Sequence, residues 1–341
     1  MREIKLLIVD DDNEIIQEFE KSVEIYNRYN DNIKYKPYVA NNLDKAKERL
    51  EIYIIDTAII DINLNNRSGD DNVDGNRVIE EILKYFRMPI FVVSGTPDRL
   101  DDSLKNNVMI KQYTREVDTN KTLFEIDIPN SMQSPTLKYF SRNGYLEKEI
   151  AKIYWEYLTE TMEYWEQSTR ELSQEEIDKI LSRHTLSCLN EKLYVNGNID
   201  KFDEYHFGEM YIIPPIKQHY HTGDIIKKDE ELFIILNPSC DIVTKKVEFY
   251  LLAKIIYINK NIEEIKRNKG KECYYYLPYF ANIFTEIQDS VYVINFQNLQ
   301  TTEFCNEYER IATISAPFLK DVIARFSRYY ARQGQPNLMR H

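Results

Sequence analysis

At 341 residues the chain exceeds one ordinary domain, and its length predicts two or three. Its 43% hydrophobic content is enough to bury real cores, which excludes wholesale disorder. A formal net charge of −12 argues against nucleic acid as the expected partner, because phosphate binding draws on a basic surface. The apolar run in MREIKLLIVDDD is too short for a secretory signal, and no segment approaches the ~18 uninterrupted apolar residues of a membrane span. Cys188, Cys240, Cys273 and Cys305 are widely separated and read as reduced thiols. The expectation is a cytoplasmic, multidomain protein without membrane contact.

In chain order, residues 4–9, 54–60 and 89–93 read as buried strands, β-branched and nearly continuous in hydrophobicity. Weaker strands are predicted near Tyr35–Val39 and Val108–Ile110. Helical periodicity covers 13–29, 43–51 and 75–86, the first with Ile15, Phe19, Val23 and Tyr26 on one face. Such alternation predicts a doubly wound α/β domain with a parallel five-stranded sheet over 1–116. Residues 117–145, with Pro129, Pro135 and Gly144 as breakers, are expected to be a linker.

A helical middle segment is expected over 146–195. It comprises a helix at 146–169 and another at 174–190, the second opened by the capping box Ser173-Gln174-Glu175-Glu176. Its apolar and aromatic stripe, with Trp155 and Trp165, suits either a domain core or a dimerisation element. From 196 to 341 a strand-rich α+β domain is expected, with strands at 231–236, 247–258, 273–278 and 289–296 and a final helix at 317–332.

The residues that carry chemistry fall at predicted strand ends, where open α/β sheets bind ligands. Asp10 and Asp11 follow the first strand, Asp61 the third, Ser94 and Gly95 the fourth and Lys111 the fifth. Three carboxylates within ~5 Å repel by about 3 kcal/mol per pair at an effective dielectric of 20, so a hard cation with oxygen ligands is expected. In order and each behind a strand, these residues resemble the response-regulator receiver family of two-component signalling, over about residues 1–115.

The resemblance implies a magnesium site held by Asp10, Asp11, Asp61 and the carbonyl of Asn63. Asp61 would be the phosphate acceptor, and Ser94 and Lys111 would contact the phosphoryl oxygens. It also implies a histidine kinase or related ATPase as phosphodonor in a phosphorelay. This sequence departs from the family in three places. The loop between Asp61 and Gly75 is longer than usual, Gln112 stands where a proline is typical, and Val108 stands where a switch aromatic often sits.

In the second half, His221-Thr222-Gly223-Asp224-Ile225 and Asn237-Pro238-Ser239-Cys240-Asp241, together with the closing segment from Ser315 to Pro336, resemble an uncharacterised module of bacterial conflict and phage-defence proteins. The pattern from Gly223 to Val243 is also similar to toxin-type RNA-cleaving barrels. His219, His221, Cys240 and Cys273 could ligate zinc, or Cys240 could be a nucleophile activated by His221 with Asp224 or Asp241 as orienter. Turn residues around a small cysteine explain the same pattern. Arg325, Arg328 and Arg332 form a basic face on the last helix, read as solvated.

The leading expectation is a response regulator with a non-DNA-binding output, acting by contact with a downstream protein or as a homodimer. It would have no catalysis beyond phosphorylation and dephosphorylation at Asp61. The alternatives are a phosphorylation-controlled effector enzyme acting through His221, Asp224, Cys240 and Asp241, and a pseudo-receiver decoy.

Overall fold

The computed structural model describes residues 2–64, 74–116, 118–194, 205–258, 272–280, 283–284, 291–303 and 307–332. Cys305, most of the long loop after Asp61 and the end of the closing segment lie outside the described residues. The chain divides into two compact units, 1–197 and 198–341.

In the first unit β1 (Arg2–Val9), β2 (Ile33–Ala40), β3 (Thr57–Ile60), β4 (Ile90–Ser94) and β5 (Ile110–Thr114) form one parallel sheet in the order β2-β1-β3-β4-β5. Helices α1 (Asn13–Tyr29), α2 (Leu43–Ile52) and α3 (Asp74–Tyr85) connect the first four strands, and the short α4 (Asp102–Lys105) precedes β5. Alternation along each strand explains the two faces. Leu7, Val9, Ile60 and Val92 pack with Ala46, Leu50, Val78, Ile79 and Ile82 of α2 and α3. Leu6, Ile8, Ile59, Phe91 and Val93 pack with Phe19 and Val23 of α1 on the opposite side. Each such fully buried side chain contributes about 1.5–3 kcal/mol, so both faces are held by comparable cores.

Residues 118–145 are a helical cover rather than the expected linker. α5 (Thr119–Thr122), a π-helical turn (Leu123–Asp127) and α6 (Ile128–Ser131) run on from one another, and α7 (Pro135–Phe140) follows. Leu123, Phe124, Ile128, Met132 and Leu137 are buried in the α1-side core, and the Tyr35 hydroxyl donates to the Phe124 carbonyl at 2.8 Å. The first unit therefore extends well beyond 116. A wide turn just ahead of Pro129 is where a proline ring and its missing donor can be accommodated.

The predicted helical middle segment is present as α8 (Tyr145–Ile153), a second π-helical turn (Tyr154–Leu158), a short 3₁₀ turn (Thr159–Thr161), α9 (Met162–Ser168) and α10 (Gln174–Tyr194). The capping box forms, with Ser173 N–H donating to Glu176 at 2.9 Å and Glu176 N–H donating to the Ser173 hydroxyl at 3.4 Å. Ile153 is buried, whereas Trp155 is exposed.

In the second unit β6 (Tyr211–Ile212), β7 (Asp224–Lys228), β8 (Glu231–Ile235), β9 (Tyr250–Ile258), β10 (Tyr274–Leu277), β11 (Val291–Thr302) and β12 (Glu309–Ile314) form a seven-stranded sheet in which every pairing is antiparallel. Its order is β10-β11-β9-β8-β7-β12-β6. The short α11 (Ser239–Val243) follows β8, and α12 (Ala316–Ala331) lays Phe318, Leu319, Val322, Ile323 and Phe326 on the main core with Ile225, Ile234, Ile294 and Phe296.

Candidate functional site: an acidic pocket at the strand ends

The pocket is built where β1 and β3 stop. Asp61 N–H donates to the Val9 carbonyl at 2.9 Å, which fixes the loop after β3 against the end of β1. Asp12 N–H donates to Asp10 Oδ1 at 2.9 Å, while Asp12 itself caps α1 by accepting from Glu14 N–H at 2.8 Å. The three successive aspartates thus divide into two that face the pocket and one that starts a helix. One carboxylate oxygen from each of Asp10, Asp11 and Asp61 lies within 4.8 Å of the others. Among the described residues no other group of three or more histidine, cysteine or acidic side chains is arranged to hold a metal.

Asp10 and Asp61 are buried, and burial dominates their acidity. It pushes Asp10 up to about 6, against the opposing effects of the Asp12 amide and Arg115. Asp61 is also raised by burial, opposed by the Ser94 hydroxyl, Arg115 and the amides of Asn63 and Ile62. Asp61 Oδ1 is buried with no hydrogen-bond partner. A set of hard oxygen donors, buried and with one oxygen unpartnered, fits a small divalent cation such as Mg²⁺.

Ser94 ends β4 and is fully buried, and the Asn63 side-chain amide donates to its hydroxyl at 3.3 Å and to Thr96 Oγ1 at 2.8 Å. Arg99 in turn donates to Asn63 Oδ1 at 3.2 Å. Thr96 and Arg99 are neighbours of the site that sequence reasoning missed, because they belong to a short loop with no periodic signature. Gly95 has open space where a side chain would be, so close backbone approach does not account for it. Gly75, by contrast, is crowded: a Cβ there would lie 2.2 Å from the Asp61 carbonyl oxygen.

Lys111 is not among the pocket residues. It pairs with Phe91 near the start of β4, is 41% exposed, and gives its ammonium to Asp127 at 3.2 Å. β5 continues to Thr114, beside Ser94, so the cation beyond the strand end is Arg115. Its guanidinium lies 2.7 Å from Asp10 Oδ2 and 3.8 Å from Asp61 Oδ2. The weak strand expected at Val108–Ile110 begins later than the sequence suggested, and that shift moves the charge.

The second unit does not assemble the expected effector site. Cys240 is exposed, its thiol reaches only its neighbour Asp241 at 3.6 Å, and it makes no hydrogen bond to His221. His219 is exposed and Cys273 is buried, so the proposed zinc ligands are not gathered. Asp224 is 1% exposed and acts structurally. It accepts from His221 N–H at 2.8 Å, Thr313 Oγ1 at 2.6 Å and Arg310 Nη1 at 3.4 Å. Burial and the charges of Lys217 and Arg310 lower the His221 pKa, with Asp224 opposing them. Arg325 of α12 donates to the Tyr274 carbonyl and Arg332, just past the end of α12, pairs with Glu272, which accounts for two of the three arginines within the fold.

A parallel sheet of order 2-1-3-4-5, covered on both faces and ending in buried carboxylates, is the doubly wound fold of receiver domains. Comparison with solved structures returns such domains over this part of the chain. One is a CheY-like receiver domain from Methanospirillum hungatei JF-1, with 20% identity, 36% of this chain and 88% of that one covered, and a TM-score of 0.26. Another is the receiver domain of the PhyR response regulator from Erythrobacter litoralis, with 19% identity, 40% and 96% covered, and a TM-score of 0.31. A MazE–MazF structure from Deinococcus radiodurans is also matched, at 12% identity, 33% and 96% covered, and a TM-score of 0.24. No family model matches the chain, and no curated protein matches it. Among the described residues no helix is long and apolar enough to cross a membrane.

Proposed function

We propose that the first unit is a phosphorylatable receiver and that Asp61 accepts the phosphoryl group from a histidine kinase or related ATPase. The observation that carries this reading is the trio Asp10, Asp11 and Asp61, with one Asp61 oxygen buried and unpartnered. An Asp61 carboxylate oxygen attacks phosphorus in line with the leaving group. The new P–O bond forms as the donor's P–N bond breaks, and the departing imidazole keeps the electron pair and takes up a proton. Mg²⁺ held by Asp10, Asp11, Asp61 and the Asn63 carbonyl would supply positive charge to the phosphoryl oxygens. Arg115 takes the part that the family resemblance assigned to Lys111, balancing charge on the equatorial oxygens, and the Ser94 hydroxyl donates to one of them. Attack of water on phosphorus returns the carboxylate and inorganic phosphate.

The output is contact with a downstream protein or a second copy, because an acceptor site changes an interface by adding charge. Incubation with Mg²⁺ and phosphoramidate, followed by intact mass measurement, tests the acceptor. The expected result is one phosphoryl group per chain, lost in Asp61→Ala. Uptake that persists in Asp61→Ala, or no uptake by the unaltered protein from either phosphoramidate or a cognate kinase, overturns the reading.

A further inference from the structure

We propose that Arg115 relays the state of the acidic pocket to the π-turn helix behind it, by moving its guanidinium from Asp10 to the phosphoryl group on Asp61. The inference rests on Asp61 being the acceptor, and it adds the route by which that event leaves the pocket.

Arg115 is seated unevenly between two carboxylates, 2.7 Å from Asp10 and 3.8 Å from Asp61. Its Nε is buried with no acceptor, just as Asp61 Oδ1 is buried with no donor. A donor left over beside the acceptor carboxylate suits a phosphoryl oxygen, and guanidinium–phosphate pairing is geometrically matched through two parallel N–H bonds. Phosphorylation adds about −1.5 to −2 charges at Asp61, which makes that side of the pocket the stronger attractor for the guanidinium.

The connection from Arg115 to the helix is short and stiff. Arg115 N–H donates to the Ser94 carbonyl at 3.1 Å, which ties the strand end to the pocket. Glu116 N–H donates to Thr119 Oγ1 at 3.1 Å, and that hydroxyl donates to the Thr114 carbonyl at 2.9 Å. Displacing Arg115 therefore pulls on the first turn of α5. The next turn is the π-turn Leu123–Asp127, a wide turn with a discrete narrower alternative one residue out of register. Both Lys111 and the Tyr35 hydroxyl hold this turn to the sheet, through Asp127 and the Phe124 carbonyl.

Hydrogen–deuterium exchange of the full chain, with Mg²⁺ and phosphoramidate and with the phosphoryl content read by intact mass, tests the relay. In the unaltered protein, exchange over residues 120–131 is expected to change by about 5-fold or more, the lower end of measured site-to-site couplings. Per phosphorylated chain, that change should disappear in Arg115→Gln and be partly restored in Arg115→Lys. Thr119→Val, which cuts the connecting turn outside the pocket, should take up phosphoryl normally and lose the helix response. Phosphoryl uptake without altered exchange at 120–131, or the same alteration in Arg115→Gln as in the unaltered protein, overturns the relay. If no phosphoryl group enters from phosphoramidate or from a cognate kinase, the acceptor reading itself falls, a separate result recognised by mass alone.

Discussion

Gly75 offers the sharpest test of how the loop that carries Asp61 is built. Its N–H donates to the Ile62 carbonyl at 3.1 Å, and α3 starts directly beneath Asp61. An alanine Cβ there would sit 2.2 Å from the Asp61 carbonyl oxygen, 2.5 Å from Ile62 Cα and 2.8 Å from the Ile62 oxygen. All three atoms are backbone, so no side-chain rotation relieves the clash, and the nearest separation must open to about 3.4 Å. Overpacking of this kind costs about 3 kcal/mol at the upper end of its usual range. Alanine recovers up to about 1 kcal/mol through helix propensity and a less flexible unfolded chain. The expected net loss for Gly75→Ala is therefore about 2 kcal/mol, with slower phosphoryl uptake because Asp61 is the residue displaced. The chain's two tryptophans, Trp155 and Trp165, both belong to the first unit, so fluorescence in a urea titration reads that unit alone. A Gly75→Ala stability within about 0.5 kcal/mol of the parent, the scatter of neutral surface changes, would refute the packing argument.

Three further outcomes follow from the same geometry. With Asp10 raised from 3.8 to about 6, the folded state keeps a proton that the unfolded chain releases, so metal-free stability falls as pH rises through that window and levels above it. Added Mg²⁺ should accordingly raise the urea midpoint at pH 7.5 and far less at pH 5; equal gains at both would sink the assignment of Asp10 as a ligand. Lys111→Ala removes a half-exposed pair with Asp127 and should cost at most about 1 kcal/mol with phosphoryl uptake unchanged, whereas Arg115→Ala should slow uptake by roughly 10-fold or more. The reverse ranking of rates would return the role to Lys111. Asp224→Ala leaves Arg310 without its buried carboxylate and should destabilise the second unit by about 3–5 kcal/mol, read by exchange of the β7 and β12 amides. Protection of those amides equal to the parent's would show the pair to be dispensable.

Most of the first sheet was legible because parallel strands buried on both faces must be apolar throughout. The runs Leu6–Val9, Ala58–Ile60 and Ile90–Val93 therefore stand out against polar helices. The antiparallel strands β8 and β9 were legible for a related reason, their β-branched runs, although their order in the sheet was not. Pairing of β7 with β12 joins residues more than eighty positions apart, and no local pattern encodes that. The helix over 119–131 was hidden by its own irregularity. Its buried residues Leu123, Phe124, Ile128 and Met132 keep near-helical spacing, yet Pro129 and a π-turn break the expected period.

The pocket's cation shows where residue type was readable and position was not. β5 lies at the sheet edge and buries only one face, so IKQYT alternates instead of running apolar, and its start and end carry no hydrophobic marker. Lys111 and Arg115 stand four residues apart and share the parity that faces one side of the strand. A strand advances about 3.3 Å per residue, so their backbones differ by roughly 13 Å, several times the reach of an ion pair. Lys111 gives its ammonium to Asp127, so Arg115, which already lies beside Asp10 and Asp61, is the cation placed to balance a phosphoryl group at the end of the sheet. The register puts it there: Ser94, the last residue of β4, stands beside Thr114, and the next side chain beyond the edge is Arg115. An arginine there also changes the chemistry, since its planar fork can hold Asp10 and release it toward a phosphoryl oxygen without ever losing its charge.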